Sequence, residues 1–171
     1  FGTMMRDEGY RIKAVDDRAD YPERMKMLKD GEIDFAVCTI DSYLLNGKAV
    51  KYPGAIIAVL DQSKGGDAIV AWKESVQNIE TLKTKQKFTI AFTPASPSEH
   101  LLKAISSHFD IPLFTSGDKK WRVEVNGAEE GYEKFMKKGV DCAALWEPHV
   151  TEALSDPGVI KLIGSEDIEN L

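Results

Sequence analysis

The sequence predicts an α/β protein of two lobes, each made of parallel-type βαβ units. Three observations carry that expectation. Short apolar runs alternate along the chain with stretches whose apolar residues recur at helical spacing. One helix-to-strand junction occurs twice, at Met27-Leu-Lys-Asp-Gly-Glu-Ile-Asp-Phe-Ala-Val and at Phe135-Met-Lys-Lys-Gly-Val-Asp-Cys-Ala-Ala-Leu, allowing a one-residue gap. The 171 residues, 43% apolar and 29% charged, suit a chain that buries a core of its own.

The elements follow in order. Residues 1–8 read as the tail of a helix stopped at Gly9, and Tyr10–Val15 as a strand. Asp20 caps the next helix, with Pro22 in its first turn, Glu23 at the reciprocal capping position, and Tyr21, Met25 and Leu28 as its apolar stripe. Gly31 ends that helix, and Ile33–Cys38 is expected to be a short buried strand. Asp41 and Ser42 cap a helix through Leu45, and Ala55–Leu60 reads as another buried strand. After the polar loop 61–67, Ala68–Trp72 reads as a strand.

The second half repeats the pattern. Phe88–Phe92 is a strand, and Ser96–Phe109 a helix with Leu101, Ile105 and Phe109 on one face. Trp121–Val125 is a strand, and Asn126 with Glu129 forms a capping box for a helix whose stripe is Ala128, Tyr132, Phe135 and Met136. Val140–Leu145 is a strand, Pro148 opens a short helix, and Val159–Ile163 is the last strand. Both copies of the repeated junction are expected to turn on a left-handed glycine, Gly31 and Gly139. The division that follows is a first lobe at 1–72, a hinge-side connection at 73–87 and a second lobe at 88–171.

Composition excludes several functions. With 22 basic against 28 acidic residues the net charge is −6, so no basic face is available for a nucleic acid. No apolar run approaches the roughly 18–20 residues of a membrane span. The chain begins Phe1-Gly-Thr-Met-Met, without a starting Met or a signal-peptide pattern, and is expected to be a processed or truncated piece. Cys38 and Cys142, each inside an apolar run, read as buried free thiols, with a disulfide as the minor alternative. Two thiols with no nearby His are too few for a metal site, and no cofactor is implied.

Ligands in open α/β sheets collect at the carboxyl ends of strands, near helix N-termini. Four loops meet that condition. The first holds Thr39, Asp41 and Ser42, readable as a helix cap or as donors aimed into a cleft. The second is Ser63-Lys64-Gly65-Gly66-Asp67, whose paired glycines allow either a plain turn or a ligand cradle. It matches neither the phosphate-binding P-loop nor the dinucleotide fingerprint. The third carries Thr93, Ser96 and Ser98 into a helix, more hydroxyls than one cap uses, with His100 in the first turn. The fourth is Trp146-Glu147, a stacking wall or core residue followed by a cap or an acceptor for a cation. His108 and His149 have no sequence-local carboxylate or Cys arranged for catalysis. Gly-x-Ser-x-Gly and His-Glu-x-x-His are both absent, so no enzymatic machinery is recognised.

These loops, taken with residues 27–44, 61–71, 93–102 and 139–148 in that order, resemble the substrate-binding proteins of bacterial ABC importers, in the nitrate/sulfonate/taurine and thiamine-precursor branch. The resemblance implies a type II periplasmic-binding fold and a periplasmic or membrane-tethered extracellular location. It also implies a small-molecule ligand, delivered to a membrane ABC permease. The four loops above would form the cleft. Family chains begin with a strand upstream of Phe1 and cross back to the first lobe after about Glu169-Asn-Leu, so an incomplete first lobe is expected. Sulfonate, nitrate, taurine-like and pyrimidine-like ligands remain open. So do two other readings: an enzyme of the thiamine-precursor type, with His100 as its nearest reactive candidate, and a sensing or envelope scaffold domain.

Overall fold

The computed structural model describes residues 2–84, 87–111, 114 and 117–168, with side chains from residue 5 onward. Three helices precede the first strand: α1 (Gly2–Asp7), α2 (Tyr21–Asp30) and α3 (Ile40–Gly47), the last followed by a 3₁₀ turn at Lys48–Val50. The order then runs β1 (Asp67–Trp72), α4 (Ile79–Thr84), β2 (Ile90–Phe92), α5 (Pro97–Phe109), β3 (Arg122–Glu124), α6 (Ala128–Met136), β4 (Cys142–Trp146), α7 (His149–Leu154), β5 (Val159–Gly164) and α8 (Ser165–Ile168).

The five strands form one sheet in the order β3-β2-β4-β1-β5. Strand β2 runs parallel to both β3 and β4, whereas β1 is antiparallel to β4 on one side and β5 on the other. Four strands therefore share a direction and β1 alone is reversed. The carboxyl ends of β2, β3, β4 and β5 meet the amino end of β1 along one edge. The register places Asp67 opposite Trp146 and Ala68 opposite Gly164.

Both faces of this sheet are covered, as a mainly parallel sheet requires. Ile69, Ala71, Ile90, Phe92 and Ala144 point to one side, where they pack with Leu82 of α4 and Leu101, Leu102 and Ile105 of α5. Ala68, Val70, Trp72, Ala143 and Leu145 point to the other, against Phe135 of α6 and Val150 and Ala153 of α7. The period-2 alternation sorts the side chains, and the helices supply what each face buries. Trp72 is tied further, its indole N–H donating to the Phe135 carbonyl at 3.0 Å.

Residues 67–72 read from sequence as the end of the first lobe, yet β1 lies inside the sheet built by residues 90–164. Its alternating apolar residues fit a strand in either lobe. The ladder with β4 and β5 decides.

Three expected strands are absent as strands. Residues 10–15, 33–38 and 55–60 are irregular, with a bend at Asp34, and no ladder among the described residues includes them. Their apolar side chains are exposed: Tyr10, Ile12, Phe35, Val37, Ile57 and Val59, the last at 84%. A strand is stabilised by cross-strand bonds and face packing, which a single segment cannot supply. Cys38 is consequently half-buried rather than buried, whereas Cys142 is buried in β4; both are free thiols.

Helices with local signals form where expected. The Asp20 carboxylate accepts the Glu23 N–H at 3.0 Å. Gly31 closes α2 in the left-handed region, with φ +75°, where a side chain would be strained. The second copy of that junction differs: Lys138, not Gly139, takes the left-handed φ of +56°. Gly139 instead lies where a Cβ would stand 3.1 Å from the Lys134 carbonyl. Lys138 is held by Glu74 at 2.7 Å and by the Trp72 ring at 4.8 Å. The capping box at α6 also shifts. Gly127 is the cap residue, and Glu130, not Glu129, accepts the Asn126 N–H at 2.8 Å. The chain after Ile168, where a return crossing was expected, lies outside the described residues.

Phe92→Ala should cost about 3–5 kcal/mol, because Phe92 is fully buried beneath α5. Val59→Ser should change stability by no more than about 0.5 kcal/mol, since the side chain faces solvent. Urea melts of the two variants check both values; a Val59→Ser loss approaching that of Phe92→Ala would mean that 55–60 is a buried strand.

Candidate functional site

The strand-end edge gathers three of the four loops. Asp67 begins β1 beside Trp146, and the Glu147 N–H donates to the Gly66 carbonyl at 2.9 Å. Thr93 follows β2 on the same edge, and its hydroxyl accepts the Gly127 N–H at 3.1 Å. The fourth loop arrives on α3. Asn46, buried near the end of that helix, donates through Nδ2 to the Ser42 carbonyl at 2.8 Å and to the Ala95 carbonyl at 3.1 Å. One amide thus pins α3 to the loop that opens α5. Thr39, Asp41 and Ser42 at the start of α3, with residues 63–67, 93–98 and 146 at the strand-end edge, are the candidate lining of a ligand cleft.

Within this cleft the hydroxyls divide into engaged and available groups. Ser96 and Ser98 are fully buried. The Ser96 hydroxyl donates to the Thr93 carbonyl at 2.6 Å, and Ser98 Oγ accepts the Thr93 N–H at 3.0 Å. The two hydroxyls also lie 2.9 Å apart. They hold the loop in shape, with Ala95 at φ +53° as its tip. Glu99 accepts the Ala95 N–H at 2.7 Å. Burial works against the Glu99 charge, but that N–H, Lys103 and Arg122 together hold its carboxyl below the usual range. Thr39, not Asp41, precedes the first turn of α3, and its hydroxyl donates to Ser42 Oγ at 3.0 Å.

Glu147 takes the capping role. Its carboxylate accepts both the N–H and the hydroxyl of Thr151, at 3.1 and 2.8 Å, and so closes the start of α7. Trp146 is half-buried, with part of its ring against the α6 side of the core. His100 is exposed. His149 does find a nearby carboxylate, Glu152 at 2.8 Å one helical turn on, but the pair lies on the α7 surface.

Two of the candidate residues, Asp41 and Asp67, are carboxylates that act on one another. Burial pushes the Asp67 carboxyl up, a hydrogen bond donated by Ser63 at 2.9 Å opposes that rise, and the Asp41 carboxylate adds to it. Tyr21 of α2 is also raised, first by burial, with Arg24 opposing and Asp41, Asp17 and Asp67 adding. Asp41, Asp67 and Tyr21 are therefore within electrostatic reach of one another. Asp41 Oδ2 is shielded from solvent and has no hydrogen-bond partner. Arg24 does not neutralise the group, because it clasps Asp17 (Nη2 to Oδ1, 2.6 Å) and the Val37 carbonyl at 2.8 Å. Among the described residues no group of three or more His, Cys, Asp or Glu is placed to hold a metal ion.

Sequence reasoning missed three contributors. Asn46 gave a faint signal as an amide late in an otherwise apolar helix, a poor helix former. Tyr21 read only as stripe. Ser165, whose hydroxyl accepts the Gly65 N–H at 2.9 Å, opens the acidic Ser-Glu-Asp start of α8, where no strand-end loop had been sought. A groove lined by Trp72, Lys73, Glu74, Lys138 and Asp156 opens at the opposite edge of the sheet, away from all of these loops.

No family model and no curated protein matches the sequence. Solved structures do match. The periplasmic aliphatic sulphonate binding protein SsuA from Escherichia coli superposes with a TM-score of 0.72 at 20% identity, over 97% of this chain and 54% of that one. The alkanesulfonate-binding protein SsuA from Xanthomonas axonopodis pv. citri, bound to MOPS, gives 0.66 at 18% identity, over 95% and 53%. An ancestral arginine-binding protein bound to arginine gives 0.54 at 16% identity, over 94% and 65%. This chain spans about half the length of the two sulfonate-binding proteins. The likeness establishes a type II periplasmic-binding fold for it.

Two carboxylates should give opposite pH responses. Arg24's hydrogen bonds hold Asp17 below its ordinary value, so its contribution is present above that value, about 3.9, and is lost as pH falls through the folded one. Asp17→Asn should cost on the order of 1–2 kcal/mol at pH 7. Asp67 is raised, so its ionised form opposes folding once pH climbs past its folded value. Asp67→Asn should therefore raise the Tm at pH 7 and change it less near pH 4. Thermal melts across that range check both signs.

Proposed function

We propose that the chain is the ligand-binding part of an extracytoplasmic solute-binding protein that delivers a small polar molecule to an ABC permease. The observation that carries this reading is the Asn46 bridge, which holds α3 against the loop that opens α5 at the strand-end edge. The fold shared with sulfonate- and arginine-binding proteins supports it. Among the described residues no helix is long and apolar enough to cross a membrane.

The ligand class follows from the charges. The four loops contain one fixed cation, Lys64, and no Arg. A bidentate clamp on a carboxylate or phosphate is therefore missing from them. Asp41 and Asp67 face the cleft with negative charge, and Trp146 offers a partly exposed aromatic face. This set suits a ligand that carries an amine beside its polar or anionic end, such as a taurine-like aminosulfonate. It suits bare nitrate less, because the single lysine of these loops does not offset two carboxylates. Thr39 and Lys64 are the groups assigned to the anionic end, and Ser42, buried and bonded to Thr39, orients the Thr39 hydroxyl. Thr93, Ser96 and Ser98 shape that wall from behind, and Glu147 bounds it.

Binding works by closure. A ligand that touches both walls favours the conformation in which both are near it, by the difference in its affinity for the two states. Trp146 excludes water from the bound amine, and the permease then meets the closed form.

A thermal-shift series with taurine, ethanesulfonate, nitrate and a pyrimidine tests the reading. Taurine at about 100 times its Kd should add about 2.7 kcal/mol, and nitrate should add nothing measurable. Trp146→Ala should abolish the shift while retaining a cooperative unliganded transition. The absence of a shift with every compound counts against ligand binding. A shift with nitrate and none with taurine counts against the amine assignment.

A further inference from the structure

We propose that Ser165 is the positioning residue of the cleft: its hydroxyl holds the 63–67 turn against the end of β5 and so sets where the Asp67 carboxylate stands. The proposal rests on the ligand-site reading in one respect, that Asp67 faces the ligand. Ser165 opens α8 immediately after β5, about a hundred residues along the chain from the turn it touches. Its Oγ accepts the Gly65 N–H at 2.9 Å, lies 3.3 Å from Ser63 Oγ and 3.5 Å from the Asp67 nitrogen. Ser63 in turn donates to Asp67 Oδ2 at 2.9 Å. A single hydroxyl therefore contacts three members of one turn, and one of those contacts passes directly to the carboxylate.

The surroundings leave this joint little freedom. Gly65 sits at φ +81°, and a Cβ there would stand 3.1 Å from Glu166 Oε2. A Cβ at Gly164 would overlap the same oxygen. Glu166 is paired with Lys161, and Asp167 accepts the Gly164 N–H at 2.8 Å. The end of β5 is braced on its own side, so the hydroxyl transmits that fixed position to the turn. Alanine at 165 would leave the Gly65 N–H without its acceptor, whereas threonine keeps the oxygen. The groups facing Asp67 are Ser63 and Ser165 at the joint, Asp41 on α3 and Tyr21 on α2. Burial is the largest of the influences on it, so an opened turn returns it toward an ordinary carboxyl.

NMR of the unliganded chain tests this with two readouts, amide hydrogen exchange at Gly65 and the titration midpoint of the Asp67 carboxyl carbon. In Ser165→Ala, exchange at Gly65 should quicken by about tenfold or more, while Val70 in β1 keeps its protection. The Asp67 midpoint should move down. Ser165→Thr should restore both. Ser63→Ala, which keeps the Gly65 bond, should instead move the midpoint up, because it removes a bond that favours the charge; this variant decides the matter if Ser165→Ala does not fold. An unmoved midpoint in either variant overturns the proposal, even if Gly65 exchange rises, because Ser165 would then be structural only. None of these measurements uses a ligand, so their failure is separate from a failed thermal-shift series.

Discussion

Strand β1 enters the sheet against the direction of its neighbours, between β4 and β5, and the placement of the 63–67 loop follows from that reversal. A reversed strand puts its first residue, not its last, at the edge where the other strands end. Asp67 therefore lands beside Trp146, and the loop that leads into it reaches the end of β5. Strand β1 is laddered to β4 on one side and, with a register shift between Ile69 and Val70, to β5 on the other, and leaving one such buried group unpaired would cost about 1–3 kcal/mol. The strand's position is held by many such groups at once, so the edge is rigid before any loop side chain is considered. The walls on either face, α5 with α4 and α6 with α7, then bury its alternating side chains.

The electrostatics of the cleft depend on the same geometry. Asp67 is carried into partial burial by the strand, and Asp41 is brought near it by the packing of α3 on the α5 loop. Arg24 of α2 is engaged with Asp17 and a backbone carbonyl. The Asp41 carboxylate therefore adds to the rise that burial imposes on Asp67. The hydroxyl-rich 93–98 loop shows the complementary behaviour. Its serines are bonded within the loop, so they shape the wall and do not themselves project from it.

The two copies of the repeated junction show how far a local pattern reaches. Both have a helix, a Gly and an Asp before an apolar run. In the second, Asp141 accepts the N–H and hydroxyl of Thr89 at 2.8 and 3.1 Å, and the run becomes β4. In the first, no neighbouring strand is present among the described residues, and 33–38 stays exposed. Even the turn differs, because Trp72 and Glu74 capture Lys138 and the left-handed residue becomes the lysine. A similar local pattern therefore yields a strand in one place and an unpaired segment in the other. The repeat was informative about helix ends and uninformative about ladders.

What the sequence determined alone was the set of features closed within a few residues. The Asp20 cap, the Gly31 stop, the helical stripes and the alternation of β1 and β4 depend on bonds and periodicities inside single segments. The loops after β2 and β4 were legible as strand ends, whereas those at 39–42 and 61–67 were expected to follow strands that do not form. Tertiary structure decided which apolar runs found partners, that β1 belongs with the strands of residues 90–164, and that Asn46 meets the 93–98 loop and Ser165 the 63–67 turn. Those outcomes depend on groups distant along the chain, Asn46 with Ala95 and Ser165 with Gly65, whose meeting is set by sheet order and helix packing. A hydroxyl or amide carries no mark in sequence of the distant group it will bond, and only the assembled sheet supplies one.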